Sequence, residues 1–561
     1  MKQLSILFLV LAFSYNGFSQ DIPPVTNKIL IKNASITTQP GATPYIGHIL
    51  VEDGIIKDVG ASIQTPFDAK VVTGDSLHVY AGFIATLSHT GLKAPKENNE
   101  RPRVDRTGYP PNDVAGITPE LSIDDIYDQK DGSIGDMRKQ GFTISHSVPH
   151  GRMLPGMGSI IALNGGSFNE SVIVADGSMF AQWRTANRIF PGTLIGIMSK
   201  WRELYRNAEL TLQHNKNYKS NPRNRKRPAQ DAATEALWPV VEKQMPVFFK
   251  AEKHRDIYRT LQLQKDLGFD LVIAEAKDVD RVLNDISGVS GVSVLLSLDL
   301  PKEDKDKDKS KSKDDNKGDK EREKEDPKMA KLKKRKAEAI GRYTSQAKML
   351  SEKGMPVSFS YLETKASDIH PSVRRLVKDG LSERDALSAL TTQAASAIGI
   401  SDIAGTIEKG KLGNLVVATK PIFDEKSKIK MVMIDGHIHE YDVKEKKKKT
   451  ASDGAEIDPS GTWDYTIEIP GMTPSGTMTI TKNGEDYEVE VTSNQNPGEV
   501  AEGKEVELSG SDMTFNFSMP AGGMDITIES DLTFDGDTFE GTVSVSDFGS
   551  FDITGSKTEP K

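Results

Sequence analysis

Between Val79 and about Gly410, short apolar runs alternate with stretches of helical periodicity, and this alternation restricts the fold more than any other feature of the sequence. Repeated strand-helix-strand units require crossovers between parallel strands, which leaves a parallel sheet or a closed barrel. Strands are expected near Phe142–Ser145, Pro246–Phe249, Leu271–Ala274, Val292–Leu296 and Pro356–Phe359. Helices are expected over Arg255–Leu267 and Tyr343–Lys353, and over Glu383–Ala397 behind Ser382, whose hydroxyl suits an N-cap. With 561 residues the chain exceeds one compact core.

The flanks of this region read differently. Residues 21–80 hold short β-like runs (Ile29-Leu30-Ile31, His48–Val51, Ile55-Ile56) broken by turns such as Asp53-Gly54, and residues 411–442 return to strands at Leu415–Ala418 and Lys430–Ile434. The first of these looks like a small sheet, and the alternating region between the two flanks spans 81–410. Two segments interrupt the alternation. Residues 302–328 are nearly all charged, of mixed sign and without apolar side chains, so they read as a disordered or transiently helical surface insertion. His214–Arg227 is basic and Asn-rich and reads as a solvated loop.

Residues 443–459, with the run Lys444–Lys449, read as a linker to a second domain over 460–561. There apolar residues alternate at Trp463, Tyr465 and Ile467, then Met478 and Ile480, then Tyr487, Val489 and Val491, with a hairpin signal at Asn483-Gly484. An antiparallel meander, closed into a barrel or stacked as a sandwich, follows. Its aromatic residues Trp463, Tyr465 and Tyr487 fit either a core or a platform for carbohydrate.

At the N-terminus, Lys2, the apolar run Leu4–Tyr15 and the small residues Gly17 and Ser19 read as a cleavable secretory signal over 1–20, which implies a periplasmic or secreted protein. The run is shorter than a bilayer core of about 30 Å requires, and no later stretch is long and apolar enough to make the chain an integral membrane protein. There is no cysteine, so any metal would rest on His, Asp, Glu or a modified Lys. A formal net charge of −9 gives no support for nucleic-acid binding.

The segment VYAGFIATLSHTGL from Val79 resembles the first-strand signature of the amidohydrolase superfamily, V-x-P-G-F-I-D-x-H-x-H-x-G. Further ordered segments are similar to the superfamily: VEDGIIKDVG from Val51 to its entry hairpin, GFTISHSVPHGRMLPGMGSIIALNG from Gly141 to the region after strand two in imidazolonepropionase-like members, MPVFFKAEKHRDI from Met245 to strand five, and DALSALTTQAASAIGISDIAGTIEKGKLGNLVV from Asp385 to the closing signature. The resemblance implies a (β/α)8 barrel with a composite β-sandwich, and a divalent metal such as zinc at the C-terminal barrel face. There a metal-bound water would attack an amide or related carbonyl, so that a carbon–nitrogen bond other than a peptide bond is hydrolysed.

This sequence departs from that pattern at several ligand positions. Leu87 stands where the first histidine of H-x-H belongs, leaving His89, and Ala85 replaces the preceding aspartate. Lys250 falls at the fifth-strand histidine position, with Glu252 and His254 nearby. Glu275 lies where a sixth-strand histidine would, and Leu362 aligns with the catalytic aspartate beside Glu363. The remaining candidates are His89, His254, Glu252 and Lys250 for a metal and Glu363 for catalysis. His146, His150, Arg152 and the Gly156-Met157-Gly158 turn are candidates for a ligand pocket. His437-Ile438-His439 has H-x-H spacing but no acidic partner. Two functions stay open: a degenerate amidohydrolase acting as a binding or partner subunit, paired with an active paralogue or with itself, and an active hydrolase with an atypical single-metal site.

Overall fold

The structure, a computed structural model, describes residues 27–95, 102–301, 327–441 and 458–558, apart from 470–472, 485, 495, 522–523 and 546–548. The expected signal over 1–20, residues 302–326 of the charged insertion and most of the expected linker lie outside the described residues. Two compact units divide the chain, Met1–Val443 and Lys444–Lys561.

The first unit is built on an eight-stranded barrel. Its strands follow one another in sequence order: Phe83–Ser88, Phe142–Ser147, Gly156–Ala162, Val172–Gln182, Val247–Lys250, Leu271–Ala276, Val292–Ser297 and Phe359–Ser360. The eighth meets the first where the Tyr361 amide donates to the Leu87 carbonyl at 2.9 Å and the Thr86 hydroxyl donates to the Phe359 carbonyl. Seven strands run parallel, but the third is antiparallel to both neighbours. The short segment between Ser147 and Gly156 is the physical reason, because a parallel return needs a crossover of a dozen or more residues. Gly156-Met157-Gly158 is accordingly the start of a strand and not the turn expected from the sequence.

Helices cover the outside. Leu194–Ser220 is capped by Thr193, whose hydroxyl accepts from the Gly196 amide at 3.1 Å, and buries Ile197, Trp201, Leu204, Tyr205, Ala208 and Leu212 along one stripe. Trp201 and Tyr205 pack beside Phe269, with Phe249 of the fifth strand behind Trp201. This helix takes in His214–Ser220, which the polar composition alone reads as loop. Its apolar stripe ends at Leu212, so the final turns carry no packing signal. His254–Leu267 ends at Gly268, whose φ of +80° supplies the left-handed residue that closes a helix. The Ser382 cap is present, accepting from the Asp385 amide at 3.0 Å, but the helix behind it breaks at Thr391 into Glu383–Leu390 and Thr392–Ala397.

Strands from both ends of the unit form one mixed sheet in which Leu415–Ala418 pairs antiparallel with His78–Ala81. One face packs around Ile31, Ile49, Val51, Val79, Val417 and Met433, and the opposite face sends Tyr80, Val416 and Val432 into the barrel's outer core.

The second unit is an antiparallel nine-stranded sheet whose two meanders, Gly461–Glu502 and Lys504–Lys557, join where Gly461–Glu468 pairs with Gly549–Lys557. Trp463, Tyr465, Phe515, Phe517, Phe534 and Phe539 fill its core. Trp463 and Tyr465 are therefore core residues; alternation along a strand with one buried face places them there, and the platform reading does not hold for them. No helix among the described residues is long and apolar enough to cross a membrane.

Candidate functional site

In a barrel of this kind chemistry gathers where the parallel strands end. Alternation along these strands sends one set of side chains toward the helices and the other inward. The inward set includes Leu87, Val148, Phe180, Phe248, Val272, Ala274 and Leu295, which form one contiguous buried cluster with Leu362 packed against it. Leu87 and Leu362, which replace the expected His and Asp, are thus part of an apolar plug.

Above the plug lies a chain of alternating charges. Lys250 pairs with Glu363 and stands 3.5 Å from Glu252; Lys277 stands 3.6 Å from Glu252 and 2.8 Å from Asp299. The lysine side chains are 17% and 22% exposed, whereas Glu363 and Asp299 are about half exposed, so the cations are the more sheltered partners. Burial opposes the charge on Lys277, but the hydrogen bond to Asp299 and the field of Glu252 outweigh it and push its pKa up.

Glu275 sits beneath these charges, fully buried, at a positive φ of 59° that is unusual for a residue other than glycine. The strand register is irregular at this point. Burial raises its carboxyl pKa against the opposing hydroxyls of Ser297 and Ser360 and the charges of Lys250 and Lys277.

The histidines do not converge. His89 donates from Nδ1 to the Val148 carbonyl at 2.7 Å and stacks on His150 with ring centroids 3.7 Å apart. Burial, then the neighbouring His150, lowers its pKa to about 3, so the ring is neutral. His254 heads its helix and binds Asp278, with Nδ1 3.0 Å from Oδ2. His146 lies inside the barrel, where Nδ1 donates to the Thr86 carbonyl at 2.9 Å and Nε2 accepts from the Ser178 hydroxyl at 2.7 Å. Burial lowers its pKa to about 4. Arg152 donates to the Thr185 carbonyl at 2.7 Å. His439 lies against the Arg138 guanidinium at 3.2 Å, on the composite sheet.

Among the described residues, no three His, Asp or Glu side chains are grouped so as to hold a metal ion. A zinc ion of the kind the superfamily implies does not fit this mouth. Such sites need at least three convergent donors, whereas here two donor positions are hydrocarbon and the Lys250 ammonium stands among the surviving carboxylates, repelling a second cation. Of the sequence candidates, Lys250, Glu252 and Glu363 are brought together, as are His89 and His150; His254, His146 and Arg152 are engaged elsewhere. Lys277 and Asp299 were not singled out from the sequence, although each follows the end of an apolar strand, the place where mouth residues fall.

The amidohydrolase family profile matches residues 293–439. No curated protein sequence matches the chain. An amidohydrolase from Thermotoga maritima is structurally similar with a TM-score of 0.58 at 20% identity, covering 73% of this chain and 99% of that one. A putative prolidase from Bifidobacterium longum aligns with a TM-score of 0.43 at 15% identity, over 74% of this chain and 95% of that one. The matched profile and the barrel fold are thus both those of amidohydrolases, the profile over residues 293–439 and the fold over most of the first unit.

Proposed function

We propose that this protein is an exported binding or partner protein built on an amidohydrolase barrel, and that it does not hydrolyse carbon–nitrogen bonds by the superfamily's metal-dependent route. The apolar plug of Leu87, Phe180, Phe248 and Leu295, with Leu362 against it, carries this reading, because a hydrolytic water and its metal would need the space those side chains fill. The charges above the plug are satisfied by one another, which suits a rigid recognition surface better than a reactive centre. Export is supported by Lys2 and the apolar run Leu4–Tyr15. The partner proposed is a second copy of this chain or an active relative. The test incubates the purified full chain with added zinc or manganese and a panel of N-acyl amino acids, dipeptides and cyclic amides. No turnover above a Lys250→Met control is expected. Turnover abolished by a chelator would overturn the reading.

A further inference from the structure

A cavity of about 390 Å³ lies away from the barrel mouth, beside the residues that lead into the second barrel strand. Its walls come from four separate pieces of the chain. Lys139 closes the Gly132–Lys139 helix, Arg374 lies on the Ile369–Lys378 helix, Lys428 precedes the Ile429–Ile434 strand, and Tyr441 follows the last strand of the composite sheet. Among the described residues, no Asp or Glu lines it.

Three cations around one space repel one another, and an anion between them relieves that repulsion. Among the described residues neither Arg374 nor Lys428 forms an ion pair, and Lys139 has only a long 3.9 Å contact with Asp136. The Arg374 Nε is buried without a hydrogen-bond partner, and its Nη2 makes only a 3.4 Å contact with the Ser427 carbonyl. Burial lowers the Arg374 pKa, with Asp424 and Glu425, both outside the lining, partly opposing it. The guanidinium is half-buried, and its terminal nitrogens, engaged only by the long Ser427 contact, are the donors left for a phosphoryl or carboxylate oxygen. His370, also on the wall, spends Nε2 on the Gln140 carbonyl at 2.9 Å, and burial holds its pKa at about 4, so it adds no charge near neutral pH. The rest of the wall mixes the polar Gln140, Ser367 and Ser427 with an apolar side made by Ile422, Ile429 and the half-buried Tyr441 ring.

We propose that this cavity binds a small organic phosphate, with the phosphoryl group held by Arg374, Lys428 and Lys139 and the apolar body lying against Ile422, Ile429 and Tyr441. A dianion is favoured over a single carboxylate because three cations surround the space. The volume lies within the range of small-molecule sites, which run from about 300 to about 1,000 Å³. The site is independent of the barrel mouth, so it stands whether or not the mouth is catalytic.

Titration calorimetry on the full chain at low salt tests it with phenyl phosphate, inorganic phosphate and benzoate. Phenyl phosphate is expected to bind one to one, at least about tenfold more tightly than either of the others. Arg374→Gln and Lys428→Glu should each weaken it by about tenfold or more. Lys428 is exposed, so that variant is expected to fold and keeps the test informative if Arg374→Gln does not. Absence of saturable phenyl phosphate binding at millimolar concentration would overturn the proposal. So would equal affinity for benzoate, or binding that Lys428→Glu leaves unchanged.

Discussion

Two leucines decide what the barrel can do. Leu87 and Leu362 occupy positions where a lone pair would be needed and instead contribute hydrocarbon to a closed cluster. Restoring one donor does not restore a site: in Leu87→His the new imidazole would lie among Val148, Phe180 and Phe248 without partners. A loss of at least about 2 kcal/mol of stability is expected in urea unfolding, with no gain in zinc affinity. A variant as stable as the parent that binds zinc would contradict the packing described. The buried histidines act through pH. His89 is held at about 3, and His146 and His370 at about 4, each by burial first. Unfolded imidazoles titrate near about 6.5, so between about pH 6.5 and 4 the unfolded chain binds protons that the native chain refuses. Stability is therefore full above that window and falls as pH drops through it, by about 1.4 kcal/mol per pH unit for each such histidine. His146→Asn should flatten the fall between about pH 7 and 5, read by urea unfolding; parallel curves for variant and parent would contradict a neutral buried His146.

At the scale of elements, the antiparallel third strand passes so close to the barrel interior that a side chain has no room. A Cβ at Gly158 would lie 2.5 Å from the Ser178 hydroxyl and 2.7 Å from His146 Nε2. Gly158→Ala is expected to break the Ser178–His146 hydrogen bond and cost about 1–3 kcal/mol in thermal or urea unfolding, whereas a neutral outcome would show that the strand can move aside. Much of this level was legible in the sequence. The expected strands at Phe142, Leu271 and Val292 recur, each extended by one or two residues, because continuous apolar runs mark buried parallel strands. Gly156–Ala162 was not legible as a strand: its glycines and preceding proline read as a turn, and its direction follows from the shortness of the link before it. At the mouth, Lys250, Glu252 and Glu363 could be named from the fold resemblance alone. The Lys277–Asp299 pair and the strained backbone of Glu275 depend on spatial neighbours and a dihedral angle that no local pattern encodes.

The whole molecule is two units, each with its own core, the barrel with its composite sheet and the aromatic-filled β unit. Calorimetric unfolding of the full chain is expected to show two transitions, since each unit has its own core; a single transition with matching calorimetric and van't Hoff enthalpies would contradict this. The larger unit has an amidohydrolase barrel whose mouth, an apolar plug beneath a lysine-centred ion network, leaves no place for a metal. Metal content settles it most directly, measured by elemental analysis of the full chain after equilibration with zinc and manganese and removal of the unbound ions. Substoichiometric metal, unchanged in His89→Ala, is the expected result. One tightly held metal per chain, lost in that variant, would contradict it.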